Sequence, residues 1–294
     1  MLGRTLQRVL SPSFDIVATD LPEADIADEE AIDAVIAAHS PDAVVHCAAM
    51  TAVDRCEEDR DMAFRLNALG SANVAAACRR HGARLLAIST DYVFGGDAGA
   101  PYCEFQEPRS PRTVYGRSKL AGEMAVRTLC PDHAICRTSW LYGAGGPSFV
   151  HAMMGLASSG RLSVKVVADQ RGNPTSAVAA ARAIGALLAR PKLCGAFHIT
   201  CEGEATWADF AREIFRLAGT GTQVVPCTTA DFPRPAPRPA DSRLAKTALR
   251  LAGLPPMPHW QDALAEFMAE EFPPEVPAPM AGRPAAAASH GKED

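Results

Sequence analysis

Tyr115 and Lys119 stand four residues apart in the run Tyr115-Gly116-Arg117-Ser118-Lys119. On a helix that spacing puts both side chains on one face, a turn apart, so that an ammonium sits beside a phenol. A phenol with its ordinary pKa near about 10 exchanges protons poorly at neutral pH, and a neighbouring cation favours its ionised form. The pair is a candidate proton-transfer device. A Tyr and a Lys at this spacing also arise by chance, so its meaning depends on what else the chain brings to the same place.

The segments that read as strands end in small or polar residues: Asp20, Ala48-Ala49-Met50-Thr51, Ser89-Thr90-Asp91 and Thr138-Ser139-Trp140. Parallel sheets bind ligands at the C-terminal ends of their strands, so these edges are expected to converge on one cleft with Tyr115 and Lys119. Ala48 and Ala49 carry side chains small enough for a flat cofactor to approach the backbone. Asp20, at the end of a second strand, is placed to accept hydrogen bonds from an adenosine ribose, or is a surface-loop aspartate. Leu21 follows it with no adjacent cation for a 2′-phosphate, which tilts the reading towards NAD(H).

The elements that must hold these residues alternate. The segment 14–18 reads as a strand, 29–39 as a helix, 42–47 as a strand, Ala-rich 63–81 as a helix, and 85–90 as the next strand. A helix over 114–128 follows Pro111, then a strand over 134–138, so strand and helix alternate through Trp140. Beyond it, 164–167 and 195–199 read as strands, and 177–189, 207–218, 244–251 and 260–270 as helices. Prolines make 227–239 a loop, and 272–294, rich in Pro and Ala, reads as a disordered tail. This rhythm is that of an α/β fold with a parallel sheet.

The chain has 294 residues, 48% hydrophobic and 21% charged, enough to bury a sizeable core. Its formal net charge of -5, without a Lys/Arg stripe, argues against nucleic acid as a partner. Nine cysteines are scattered singly, with no metal-ligand spacing, which points to reduced thiols and no metal site. No apolar run approaches the ~20 residues needed to span a bilayer, and no leader-like segment opens the chain, so the expected compartment is the cytoplasm. His46 and His198 lie in apolar strands and read as core histidines; Glu57-Glu58-Asp59-Arg60-Asp61 reads as a solvated helix face.

Thr90, Tyr115-x-x-x-Lys119 and the strand pattern resemble the extended short-chain dehydrogenase/reductase superfamily. Cys47–Asp54, Ser89–Phe94, Val114-Tyr115-Gly116, Arg137–Gly143 and Asp169–Thr175, in that order, resemble the dTDP-4-dehydrorhamnose reductase family over residues 1 to about 268. The resemblance implies a Rossmann-like doubly wound parallel sheet over 1–145 and a smaller C-terminal substrate-binding region over 146–271, interleaved with that core. It implies NADH or NADPH as cofactor and a sugar nucleotide as substrate, with Tyr115 protonating the C4 oxygen, Lys119 holding the nicotinamide ribose and lowering the Tyr115 pKa, and Thr90 bonding the carbonyl. Trp140 matches a residue that contacts the sugar nucleotide; Thr51, Asp91 and Tyr92 lie where substrate or cofactor contacts are expected. Asp25-Ile26 matches a pair that meets the adenine end, and Arg238–Ser242 a late Arg-Pro segment that is either near the nucleotide or structural. A homodimer is compatible with this.

One motif departs. A dinucleotide fold opens with a strand and a Gly-rich loop that brings pyrophosphate to a helix N-terminus. Here Met1-Leu2-Gly3 resembles only the end of that loop; the first strand and two glycines are absent, and the reading favours a start placed at an internal methionine over a chain that lacks the strand. Two other functions fit parts of the pattern: a non-catalytic subunit similar to the regulatory beta subunit of methionine adenosyltransferase, and a sugar-nucleotide epimerase or dehydratase. Against a dehydratase, Asp91 is followed by Tyr92 and not by a second acid.

Overall fold

The computed structural model describes residues 1–273, so the expected tail lies outside them apart from its first two residues. Four strands form an all-parallel sheet in chain order: β1 (Ala43–His46), β2 (Arg84–Thr90), β3 (His133–Thr138) and Gly195–His198. Because side chains alternate across a strand, both faces of this sheet are apolar. Leu86, Ala134 and Cys136 join a core that includes Leu6 and Leu10 of helix α1 (Leu2–Leu10) and Ile184 of the helix Ala177–Leu188. Leu85, Ala87 and Ile135 point the other way, into a core with Ile32 and Ile36 of α2 (Glu29–His39), Val74 of Gly70–His81 and Val126 of Val114–Leu129. The sheet is covered by helices on both faces, as the alternating pattern requires.

Helix starts follow local chemistry. The Asp28 carboxylate accepts from Glu30 N at 3.0 Å and Ala31 N at 3.1 Å, and Thr206 with Asp209 forms a capping box before Trp207–Leu217. The latter helix and Trp260–Glu271 bring Phe210, Phe215, Trp260 and Phe267 into the first core, beside the parallel strand pair Ser163–Val167 and Gln223–Cys227.

Three expectations are corrected. The segment 14–18 forms no strand: it runs irregularly and largely exposed, because no strand lies on the outer side of β1 among the described residues and an isolated strand has no hydrogen-bonding partner. Asp20 is therefore at a surface turn, not at a strand end, and its carboxylate caps Leu21 N at 2.9 Å. The helix expected over 63–81 is interrupted by a π-helical turn at Arg65–Leu69. The helix expected from Leu244 starts at Thr247, because Leu244 N is taken by Asn173 Oδ1 and Ala245 N by the Tyr102 carbonyl, which hold that stretch extended.

Candidate active site

The three residues singled out for chemistry lie on the end of β2 and on the helix Val114–Leu129 packed against it. Thr90 is the last residue of β2 and sits opposite Thr138 of β3 in the sheet register. The helix is fixed at its start by two caps: Thr113 Oγ1 accepts from Gly116 N at 2.9 Å, and Glu57 Oε1 accepts from Val114 N at 2.7 Å. Glu57, expected on a solvated face, thus anchors the element that carries Tyr115. Gly116 allows the close approach, since a Cβ there would collide with the Tyr92 carbonyl oxygen. Tyr115 then packs edge-on against Tyr92, ring centroids 5.5 Å apart.

Tyr115 is 8% exposed, Thr90 5% and Lys119 6%. Burial raises the Tyr115 pKa, and the facing Thr90 hydroxyl only partly offsets it; Asp91 adds to the rise. The expected lowering by Lys119 does not prevail, so the phenol holds its proton at neutral pH. Lys119 Nζ donates to the Ile88 carbonyl at 2.8 Å. Burial lowers its pKa to about 8, with Glu123 and Cys47 acting in the opposite sense.

Behind Lys119 stands a buried network that sequence reasoning missed. Glu123 Oε1 accepts from Ser89 Oγ at 2.6 Å and from Arg137 Nε at 2.8 Å, while Oε2 accepts from Arg137 Nη2 at 2.7 Å. The Arg137 guanidinium lies over the Phe94 ring, 5.1 Å from its centroid, and its Nη1 is 3.3 Å from His198 Nε2. His198 and His46 are core histidines, each driven down to about 3 by burial first. The available signal was that Glu123 lies four residues after Lys119, on the same helix face.

Asn67 was also missed. It sits in the π-helical turn, fully buried, with Oδ1 accepting from Met50 N at 2.8 Å and Nδ2 donating to the Met50 carbonyl and to Ser118 Oγ, both at 3.0 Å. One amide side chain thereby ties the loop after β1 to the catalytic helix between Tyr115 and Lys119. That loop carries Ala48, Ala49 and Thr51 to the cleft lip, where Ala48 and Thr51 are exposed.

Trp140, just beyond β3, has φ of 47°, a left-handed conformation that costs a bulky residue ~1–3 kcal/mol. Its indole stacks on Trp207, centroids 3.6 Å apart at 7°, and Trp207 Nε1 donates to Gln170 Oε1 at 3.0 Å. Gly172 lies against the same indole, so close that a Cβ there would overlap the ring. Gly172→Ala is expected to displace Trp140, destabilise the protein by ~1–3 kcal/mol and raise KM more than it lowers kcat. Thermal unfolding with steady-state kinetics checks this; an unchanged KM would show that Trp140 does not line the seat.

The residues fit a dinucleotide. The N-terminus of α1, Met1-Leu2-Gly3, has no side-chain cap and no acid in its first turn, so its free N–H groups suit a phosphate. A side chain added at Gly3 would meet nothing, and Met1 packs by Gly143 and Gly146 beyond β3. Two polar atoms at the strand ends, Thr138 Oγ1 and Asp91 Oδ2, are buried without a hydrogen-bond partner. Asp25 and Ile26 lie apart from Tyr115: Asp25 Oδ1 accepts from Ala27 N at 2.9 Å, and Ile26 is buried against Gly70. Arg238 pairs with Asp54 at 2.8 Å and ties the Pro-rich loop to the short helix Val53–Glu58. A cavity of about 480 Å³ lined by Phe94, Asp97, Tyr102 and Arg109 contains none of the catalytic candidates.

With that geometry in place, the family is decided by a match of residues 1–272 to the model of the RmlD substrate binding domain. The chain belongs to this family. A dTDP-4-dehydrorhamnose reductase of Streptomyces griseus is 44% identical over 273 residues, covering 90% of this chain and 89% of the relative. A probable dTDP-4,6-dihydroxy-2-methyloxan-3-one 4-ketoreductase of Streptomyces antibioticus is 44% identical over 283 residues, covering 93% and 95%. Among solved structures, the dTDP-4-dehydrorhamnose reductase of Bacillus anthracis in complex with NADP superimposes with a TM-score of 0.89 at 40% identity, covering 92% of this chain and 95% of that one. The family resemblance, the Rossmann-like α/β class and the oxidoreductase reading of the sequence agree with these matches. Among the described residues no helix is long and apolar enough to cross a membrane.

Proposed function

We propose that this chain is an NAD(P)H-dependent reductase of a 4-keto sugar nucleotide, and that its reaction converts dTDP-4-dehydro-L-rhamnose to dTDP-L-rhamnose. The observation that carries the reading is Thr90, Tyr115 and Lys119 buried together at the end of β2, with the phenol kept protonated by its surroundings. NADH or NADPH, when bound, supplies the hydride. Tyr115 gives its proton to the C4 oxygen as negative charge develops there, and Thr90 orients that oxygen. Lys119 meets the nicotinamide ribose, and its charge supports the phenolate that remains.

In this reading Met1, Leu2 and Gly3 face the pyrophosphate, Asp25 and Ile26 the adenine end, and Ala48, Ala49 and Thr51 the body of the cofactor. Asp91 and Trp140 face the sugar. Residues 1–145 bind the cofactor, and 146–271 complete the substrate seat. The compartment is the cytoplasm.

The test is nicotinamide oxidation by the purified chain with a panel of 4-keto-6-deoxy sugar nucleotides, the product identified by NMR. Stoichiometric oxidation with one of them is expected; none with any would refute the reading. The pH profile adds a check. The buried Lys119 is charged below about 8 and neutral above it, so kcat/KM, which reports the free enzyme, should show a further loss as pH rises through about 8, beyond any limb at lower pH. A profile that stays flat well above that point would remove Lys119 from its assigned role.

A further inference from the structure

Asp91 is 3% exposed; its Oδ1 accepts from Thr90 Oγ1 at 3.0 Å, and its Oδ2 has no hydrogen-bond partner. A hydroxyl has one proton to give. In this arrangement Thr90 points that proton at Asp91, with the Tyr115 phenol as its other neighbour, while accepting from Tyr92 N at 3.2 Å. A Thr90 so committed cannot also donate to a carbonyl oxygen in the cleft. We propose that Asp91 is a positioning residue that sets the polarity of Thr90: an ionised Asp91 turns the Thr90 hydroxyl inward, and a protonated Asp91 donates to Thr90 Oγ1 and frees it to donate to the reacting oxygen. The proposal rests on the reductase reading above.

The surroundings make Asp91 able to switch. Burial raises its pKa to about 6, against smaller lowering contributions that begin with Ser242 and Thr90. No cation is among these contributors. The groups around it are the Tyr92 phenol on its own turn, the Tyr115 phenol on the catalytic helix, and Ser242, whose hydroxyl reaches the Arg171 carbonyl only at 3.5 Å. Beyond Ser242 stands Arg243, paired with both Asp241 and Glu204, and beyond Tyr92 the Asp54–Arg238 pair. A sugar nucleotide seated above the site strips away remaining water and moves the titration further up. In the reducing direction the protonated form is the productive one, so kcat falls as pH rises through this titration.

The test compares wild type, Asp91→Asn, Thr90→Val and the double variant. The amide introduced by Asp91→Asn cannot titrate. Wild-type kcat should fall by about tenfold per pH unit above its limb, whereas kcat of Asp91→Asn should lack that limb. The effect of Asp91→Asn on the kcat ratio between about pH 5.5 and about pH 8.5 should vanish in the Thr90→Val background, because Asp91 acts through the hydroxyl. An unaltered limb in Asp91→Asn, an effect confined to KM, or full persistence of the effect without Thr90 would each overturn the proposal. Infrared titration of the protein alone reads Asp91 without any reaction. A carboxylic acid band titrating near pH 6, absent in Asp91→Asn and shifted in Thr90→Val, is expected; ordinary titration near about pH 4 would overturn the switch even if the reductase reading stood. The same band, found together with no turnover of any 4-keto sugar nucleotide, would support the switch and locate the failure in the reaction assigned.

Discussion

Tyr115→Phe is expected to lower kcat by about 10³-fold while changing KM by no more than a few-fold. The phenylalanine ring keeps the edge contact with Tyr92 and the place in the small core beside Val114 and Cys56, so the fold has no reason to change. What disappears is the one proton that the surroundings hold on the phenol. Because burial raises the Tyr115 pKa, the acid is fully loaded across the neutral range, and its loss should be felt equally at about pH 6 and about pH 7. Single-turnover oxidation of the nicotinamide measures this directly. A residual rate within about tenfold of wild type would mean that another group, or solvent, protonates the oxygen.

The largest structural effect is expected two turns further along the same helix. Glu123→Ala leaves the fully buried Arg137 guanidinium without its carboxylate, a loss of about 3–5 kcal/mol that should lower Tm by roughly 10 °C. It also removes the group that supports the charge of Lys119, so the alkaline limb of kcat/KM should move below about 8. Glu123→Leu combined with Arg137→Met removes both charges and should recover much of the stability but not the limb. Calorimetry and the pH profile separate the two roles. A Tm within about 2 °C of wild type would show that water reaches Arg137 and that the network is not closed.

Legibility in the sequence depended on distance along the chain. The strand and helix rhythm was readable because each element carries its own local signal: the short apolar runs of β2 and β3, buried on both faces, and the i, i+4 pairing of Tyr115 with Lys119 are local facts. The Glu123–Arg137–Ser89 network was not, since its members lie on three elements and each, alone, reads as an ordinary polar residue. Asn67 was hidden for another reason. An Ala-rich helical pattern runs straight through it, and the π-helical turn that aims its amide at Met50 and Ser118 leaves no mark on periodicity. The segment 14–18 failed in the opposite direction. Its composition suits a strand, but strand propensity is realised only against a partner. Asp20 moved with it.

The outer edge of β1 carries one more consequence. Parallel sheets ordinarily lie protected, yet here a flank of Val44 and Val45 faces no neighbouring strand among the described residues, and Ile16 and Val17 lie exposed earlier in the chain. Such an edge is a template on which an extended segment of another molecule can pair, and it carries no proline or lysine of its own to discourage it. Pairing of that kind is bimolecular, so in handling it grows with protein concentration.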